Sequence, residues 1–272
     1  MTTEQSPTSP DAPTSPDAPL VRLDVARGVG TITLDSPANR NALSRRLRAE
    51  LSAALADAAA EESVRVVVLT HSGPVFCSGM DLREERSAAP GEEGVRELPA
   101  LLNAIWTMPK PVVARLAGPA RAGGLGLAAA CDIAVCTREA TFAFTEIRLG
   151  LVAASISGVV LPRMDPRAAH ELFLTGETFD AQRAVAIGLV NACPPAEELD
   201  AVVQRYVDAL LLAEPNAAAG TKAMLAGRWA PDLAEELAAL ADTSAAYFAS
   251  EAAREGMRAF TEKRPPRWVA PA

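Results

Sequence analysis

The sequence predicts an α/β protein that ends in helices, and three observations carry that prediction. The segment VRVVVLT from Val64 is a nearly continuous β-branched run, which suits a strand covered on both faces. A glycine-rich turn follows the strand-like PVVARLAG and opens an apolar helix that ends at Cys131, before the strand-like Asp132 to Cys136. Strand, turn and helix therefore alternate, as they do where loops carry the site. From about Asp165 the apolar spacing becomes helical throughout.

Residues 8–19 repeat TSPDAP twice in a Pro, Ser, Thr and Asp-rich stretch with almost nothing to bury, so residues 1–19 are expected to be a disordered tail. VRLDV and TITL, separated by Gly28 and Gly30, read as a hairpin. Ser44 stands where an N-cap belongs, before a helix to about Ala60 with Leu47, Leu51 and Leu55 on one face. The Val64 strand is followed by a loop that includes the acidic, Gly- and Pro-containing stretch at 84–94, and then by a helix ending near Met108. Among the later helices AEELDAVVQRYVDALLLA and DLAEELAALADTSAAYFA are the longest amphipathic segments. The expected division is a core over 20–200 and a helical region over 201–272 that covers the core or a partner subunit.

Composition narrows the function. A chain of 272 residues with 49% hydrophobic content folds around a sizeable core. A net charge of -8, from 34 acidic and 26 basic residues, argues against nucleic acid or an anionic membrane as the main partner. No apolar run approaches the roughly 20 residues that span a bilayer, and no secretory signal is evident, so a cytoplasmic location is expected. Cys77, Cys131, Cys136 and Cys193 lack CxxC spacing and are flanked by small or apolar residues, which reads as buried reduced thiols rather than a metal site. His71 and His170 have no nucleophile or orienting carboxylate beside them and form no triad.

Three segments carry chemistry: PVFCSGMDL at 74–82, AGPARAGGLGLAAACDIAV at 117–135 and ATFAFTEIRLGLV at 140–152. With NRNAL at 39–43, LTGETFDAQRAVAIGLVNAC at 174–193 and EGMRAFTEKRPPRW at 255–268, they resemble the crotonase (enoyl-CoA hydratase/isomerase) superfamily in order and interval over nearly everything after residue 20. The resemblance implies the crotonase (ClpP-like) spiral of ββα units with a helical C-terminal region. It also implies a homotrimer or dimer of trimers, and an acyl-CoA substrate. No metal or redox cofactor is implied, because coenzyme A arrives as part of the substrate.

Carried over from that family, two backbone N–H groups, of Met80 after Gly79 and of Gly123 in the glycine turn, would hold the thioester oxygen as negative charge develops on it. A helix N-terminus adds partial positive charge there. Ser78, Met80, Asp81, Leu82 and Arg83, with Gly123, Gly124 and Gly126, would line the substrate cleft. Phe260 and Lys263 match C-terminal positions that reach the CoA portion, where a cation suits phosphate.

One departure matters. Hydratases of the family carry two glutamates; here Gly126 stands at the first position and Glu146 at the second. Phe142, Phe144, Ile147 and Leu149 flank Glu146, so its carboxyl is expected in a partly apolar cleft with a raised pKa. One carboxylate suffices to move a proton between carbons, as in Δ3,Δ2-enoyl-CoA isomerases of the family. The GGLGL, CDIAV and TEIRLGLV combination, followed by Ser155 or Ser157, looks more like bacterial single-glutamate hydratases of 3-methylglutaconyl-CoA and other branched enoyl-CoAs. Hydratase, isomerase and a non-catalytic acyl-CoA-binding protein all stay open at this point. In dehalogenases of the family the nucleophile would fall at Ala154 and the tryptophan at Glu146, which disfavours substitution chemistry.

Overall fold

The computed structural model describes residues 18–87 and 94–270. The expected tail lies outside these except for Ala18 and Pro19, where the Ala18 carbonyl accepts from Arg46 Nη2 at 2.7 Å. Strands β1 (Val21–Ala26) and β2 (Val29–Leu34) form the expected antiparallel hairpin. Helix α1 (Arg45–Ala60) starts at Ser44, whose Oγ accepts from the Leu47 N–H at 3.3 Å. That bond satisfies one of the N–H groups that a helix start leaves open.

β3 (Val66–His71) pairs in parallel with β2, and α2 (Leu82–Ser87), α3 (Leu98–Thr107) and β4 (Val112–Leu116) follow. The short β5 (Ala120–Arg121) leads into α4 (Gly123–Ala130), then β6 (Ile133–Cys136) and β7 (Thr141–Ala143). Five strands make a sheet in the order β1-β2-β3-β4-β6, parallel except for the first pair. The remaining short strands, β5, β7 and β8 (Phe179–Asp180), form a second sheet in the order β5-β7-β8, extended by a bridge between Cys77 and Ala120. β4 and β6 are thus each followed by a short strand of the second sheet, and β3 by the Cys77 bridge to it, before a helical segment, which is the repeating ββα unit.

A chain that reverses into a second sheet so quickly needs tight turns. Gly118 supplies one: a Cβ there would lie 2.1 Å from the Pro74 carbonyl oxygen. The β-branched run of β3 is explained by burial on both faces. Val66 and Val68 join Val113 and Val135 against Leu199, Val203 and Val207 of α8 (Leu199–Leu211), whereas Val67 and Leu69 point into the main core with Leu47, Leu51 and Leu102.

The rest is helical, as expected, apart from the two-residue β8 (Phe179–Asp180). Helices α5 (Ala154–Val160), α6 (Pro166–Thr175), α7 (Ala181–Ala186), α9 (Pro215–Trp229), α10 (Leu233–Phe248) and α11 (Glu251–Thr261) complete the chain. Position 200/201 falls inside α8, and Leu233 and Leu237 of α10 belong to the same core as the sheet. The region expected as an appended cover therefore packs as one body with what precedes it.

Two further differences have local causes. The loop expected after β3 contains α2, held by Asp81, whose Oδ1 accepts from the Arg83 N–H at 3.0 Å and whose carbonyl accepts from the Glu85 N–H at 3.0 Å. The strands β5, β7 and β8 are two or three residues long, too short to show alternation in a sequence. Cys77, Cys131 and Cys136 are buried, and burial pushes their thiols up to about 12. His71 is a packing and hydrogen-bonding residue: Nε2 accepts from the Ala117 N–H at 3.0 Å and the ring meets Phe76 edge-on.

Candidate active site

The NRNAL loop, the Gly79 turn and the start of α4 are knitted together by backbone. The Leu43 N–H donates to the Gly79 carbonyl at 2.8 Å and the Ser78 N–H to Arg40 at 3.1 Å. On the other side the Arg121 N–H donates to the Cys77 carbonyl at 3.0 Å. Asn41, fully buried, accepts from the Ser36 N–H and donates to the Ser72 and Val75 carbonyls, which fixes this loop against the turn.

Gly79 has φ +89°, and a Cβ there would lie 2.9 Å from Ala122 Cβ and 3.5 Å from the Gly123 nitrogen. The turn therefore abuts the start of α4 in a conformation that only glycine adopts without strain. Ala122, the residue preceding α4, is itself held at φ 49° and ψ -121°. Such strain persists where surrounding structure imposes it, often at functional sites. Among the described residues neither the Met80 nor the Gly123 N–H donates to an acceptor in the chain. The geometry thus leaves two adjacent donors open, one of them at a helix start.

Met80 and Gly123 both line a cleft of about 730 Å³. Ser78, Met80, Asp81, Leu82, Arg83, Gly123, Glu146, Phe260 and Lys263 line it together. Gly124 and Gly126, expected to line the substrate cleft, are not among the residues that line it. A Cβ at Gly124 would lie 2.6 Å from the Cys77 carbonyl oxygen, and one at Gly126 would lie 2.6 Å from Ile156 Cγ2. Their role is close packing inside an α4 that is buried along its whole length. Asp81 lines the cleft, but its carboxylate is committed to the Asn39 side chain at 2.8 Å and to the start of α2.

Glu146 sits in the 3-10 helix Thr145–Leu149. Its Oε2 is buried with no hydrogen-bond partner, and desolvation raises the carboxyl to about 7, against a smaller lowering by its own backbone N–H. The segment carrying it is pinned from behind by α11. At Gly256 a Cβ would lie 2.2 Å from the Leu149 carbonyl oxygen, and at Gly150 one would lie 2.8 Å from the Ala252 backbone. Helix α11 in turn brings Phe260 and Lys263 to the cleft mouth, where Phe260 is 59% exposed.

Sequence reasoning missed several lining residues. Arg40 and Arg148 are exposed at the cleft and add cationic character to its mouth alongside Arg83 and Lys263. Arg40 lay within a motif already singled out, whereas Ser244 and Phe248 of α10 carried no signal because only packing brings α10 here. No group of His, Cys, Asp and Glu side chains suited to a metal ion occurs among the described residues.

The comparisons with known proteins agree with this geometry. Residues 24–271 match the family described as enoyl-CoA hydratase/isomerase. An enoyl-CoA hydratase structure from Mycobacterium avium is 41% identical, with a TM-score of 0.84 over 92% of this chain and 99% of that one. A Thermus thermophilus protein provisionally named an enoyl-CoA hydratase is 37% identical over 88% of this chain and 97% of its own. The mouse mitochondrial enoyl-CoA hydratase domain-containing protein 3 is 32% identical over 89% of this chain and 81% of its own. The repeating ββα units, the paired glycine turns and these matches together place the chain in the enoyl-CoA hydratase/isomerase family of the crotonase superfamily.

Proposed function

We propose that the protein adds water across the double bond of a short or branched 2-enoyl-CoA. The observation that carries this reading is Glu146: a half-buried residue whose Oε2 is buried and unpartnered, its carboxyl raised to about 7, in the same cleft as two open N–H donors. At neutral pH such a group is present in both protonation states, which is what one residue needs to accept and return a proton. Water would attack the β-carbon while Glu146 takes one of its protons. The double-bond electrons move onto the thioester oxygen, where the Met80 and Gly123 N–H groups stabilise the charge. Glu146 then returns a proton to the α-carbon.

The cationic mouth formed by Arg83 and Lys263, with Arg40 beside them, suits the phosphates of coenzyme A, and Phe260 offers an apolar surface to the same portion. Exposed Leu212, Met224 and Trp229, at 88%, 65% and 59%, support assembly into a trimer or dimer of trimers. No helix among the described residues is long and apolar enough to cross a membrane, which fits the cytoplasmic location in this reading.

Double-bond isomerisation is the second reading, favoured by Gly126. No carboxylate fits there without displacing Ile156, so only one glutamate serves the two carbons. A non-catalytic role is disfavoured because an unused buried carboxyl destabilises the fold without return. The test is an assay of crotonyl-CoA, 3-methylglutaconyl-CoA and a 3-enoyl-CoA beside the Glu146→Gln variant, with products identified by mass. Hydration of a 2-enoyl substrate that the variant loses supports the proposal. Conversion of the 3-enoyl substrate alone replaces it with the isomerase reading, and inertness toward all three overturns both.

A further inference from the structure

Ten polar or charged residues are buried among the described residues, and only Ser155 and Ser244 of these line the cleft. They are 4% and 2% exposed. Ser155 is near the start of α5 and Ser244 is on α10, yet their hydroxyl oxygens lie 2.7 Å apart and the Ser155 N–H donates to Ser244 Oγ at 3.0 Å.

Counting donors gives this pair its meaning. Two hydroxyls have two hydrogens, and one bond between them uses one. The other has no acceptor among the described residues, and at least two lone pairs also stay open. A buried hydroxyl left in that condition costs free energy unless something polar meets it. Leu98, Leu151, Ile156 and Phe248 line the same cleft, and no further group among the described residues bonds the pair, so the partner must come from the cleft.

We infer that the Ser155–Ser244 pair positions the water that attacks the β-carbon, taking the part of the carboxylate that Gly126 excludes. This rests on the hydration reading. The water is held between Glu146, which accepts one of its hydrogens, and the serine pair, which bonds the rest of the molecule. Attack forms the oxygen–carbon bond, one water proton passes to Glu146 and on to the α-carbon, and the other stays on the new hydroxyl. The serines keep their own protons throughout, so they orient the water and do not exchange protons with substrate. Because Ser155 donates to Ser244 while Ser244 also receives a backbone bond, the two act as one unit.

The test separates water attack from proton transfer. Ser155→Ala, Ser244→Ala and the double variant are assayed for hydration of the best 2-enoyl-CoA substrate. The same proteins are assayed for solvent-deuterium exchange at the α-carbon of butyryl-CoA, which needs Glu146 and the two N–H groups but no attacking water. The expected result is a fall in hydration kcat on the order of tenfold to a hundredfold, little change in KM, exchange largely retained, and a double variant no worse than the more damaged single one. Two separate alanine variants guard against one that fails to fold. If the wild type hydrates and the variants lower hydration and exchange alike, or neither, the inference is overturned and the hydration reading stands. If the wild type hydrates no 2-enoyl-CoA, that reading fails first.

Discussion

Replacing Glu146 with glutamine should change how stability responds to pH as well as activity. Burial lifts the carboxyl from its ordinary 4.5 to about 7 in the folded chain. Below pH 4.5 it is protonated whether the chain is folded or not. Between 4.5 and 7 the unfolded chain releases the proton while the folded one keeps it, so the folded state binds more protons and its stability falls as pH rises. The full span corresponds to about 3 kcal/mol. Glutamine does not titrate, so the stability of Glu146→Gln relative to wild type should grow by about 3 kcal/mol between pH 4.5 and 8. Urea unfolding of both proteins at several pH values across this range measures it. Curves that stay parallel would show that Glu146 ionises normally, and the argument for it as the proton carrier would fail with them.

Two further outcomes follow from packing. Gly256→Ala would drive a methyl to within 2.2 Å of the Leu149 carbonyl oxygen; because backbone cannot yield cheaply, we expect a loss of about 1–3 kcal/mol in thermal unfolding and a raised KM for acyl-CoA as α11 moves off the Glu146 segment. Lys222→Met removes a buried ammonium that pairs with Asp132 at 2.7 Å and donates to the Ile105 and Lys110 carbonyls. Asp132 keeps its bond from the Val112 N–H and some solvent, so the cost should be about 2–3 kcal/mol, read as a lower urea midpoint with an unchanged slope.

Much of the fold could be read before any coordinates because local rules agree with the global ones. The β1–β2 turn, the Ser44 cap, the β-branched run of β3 and the glycine turn before α4 each have a short-range cause, and each stands where it was expected. The α2 turn was hidden because an Asp81 cap within a charged, glycine-containing stretch looks like loop until its two hydrogen bonds are seen. Gly124 and Gly126, expected in the lining of the cleft, pack away from it for a related reason. Nothing in GGLGL says which glycines face a cavity and which face Cys77 or Ile156.

By itself the sequence determined the family, the α/β alternation and the candidate proton carrier Glu146, because these depend on residue type, order and interval along the chain. Only the tertiary structure decided that Glu146 Oε2 is buried and left without a partner, and that Ser155 meets Ser244 across 89 positions of sequence. Desolvation and hydroxyl pairing depend on which distant segments close over a site. That information lies in the packing of α10 and α11 against the 3-10 helix and α5, where no local pattern records it.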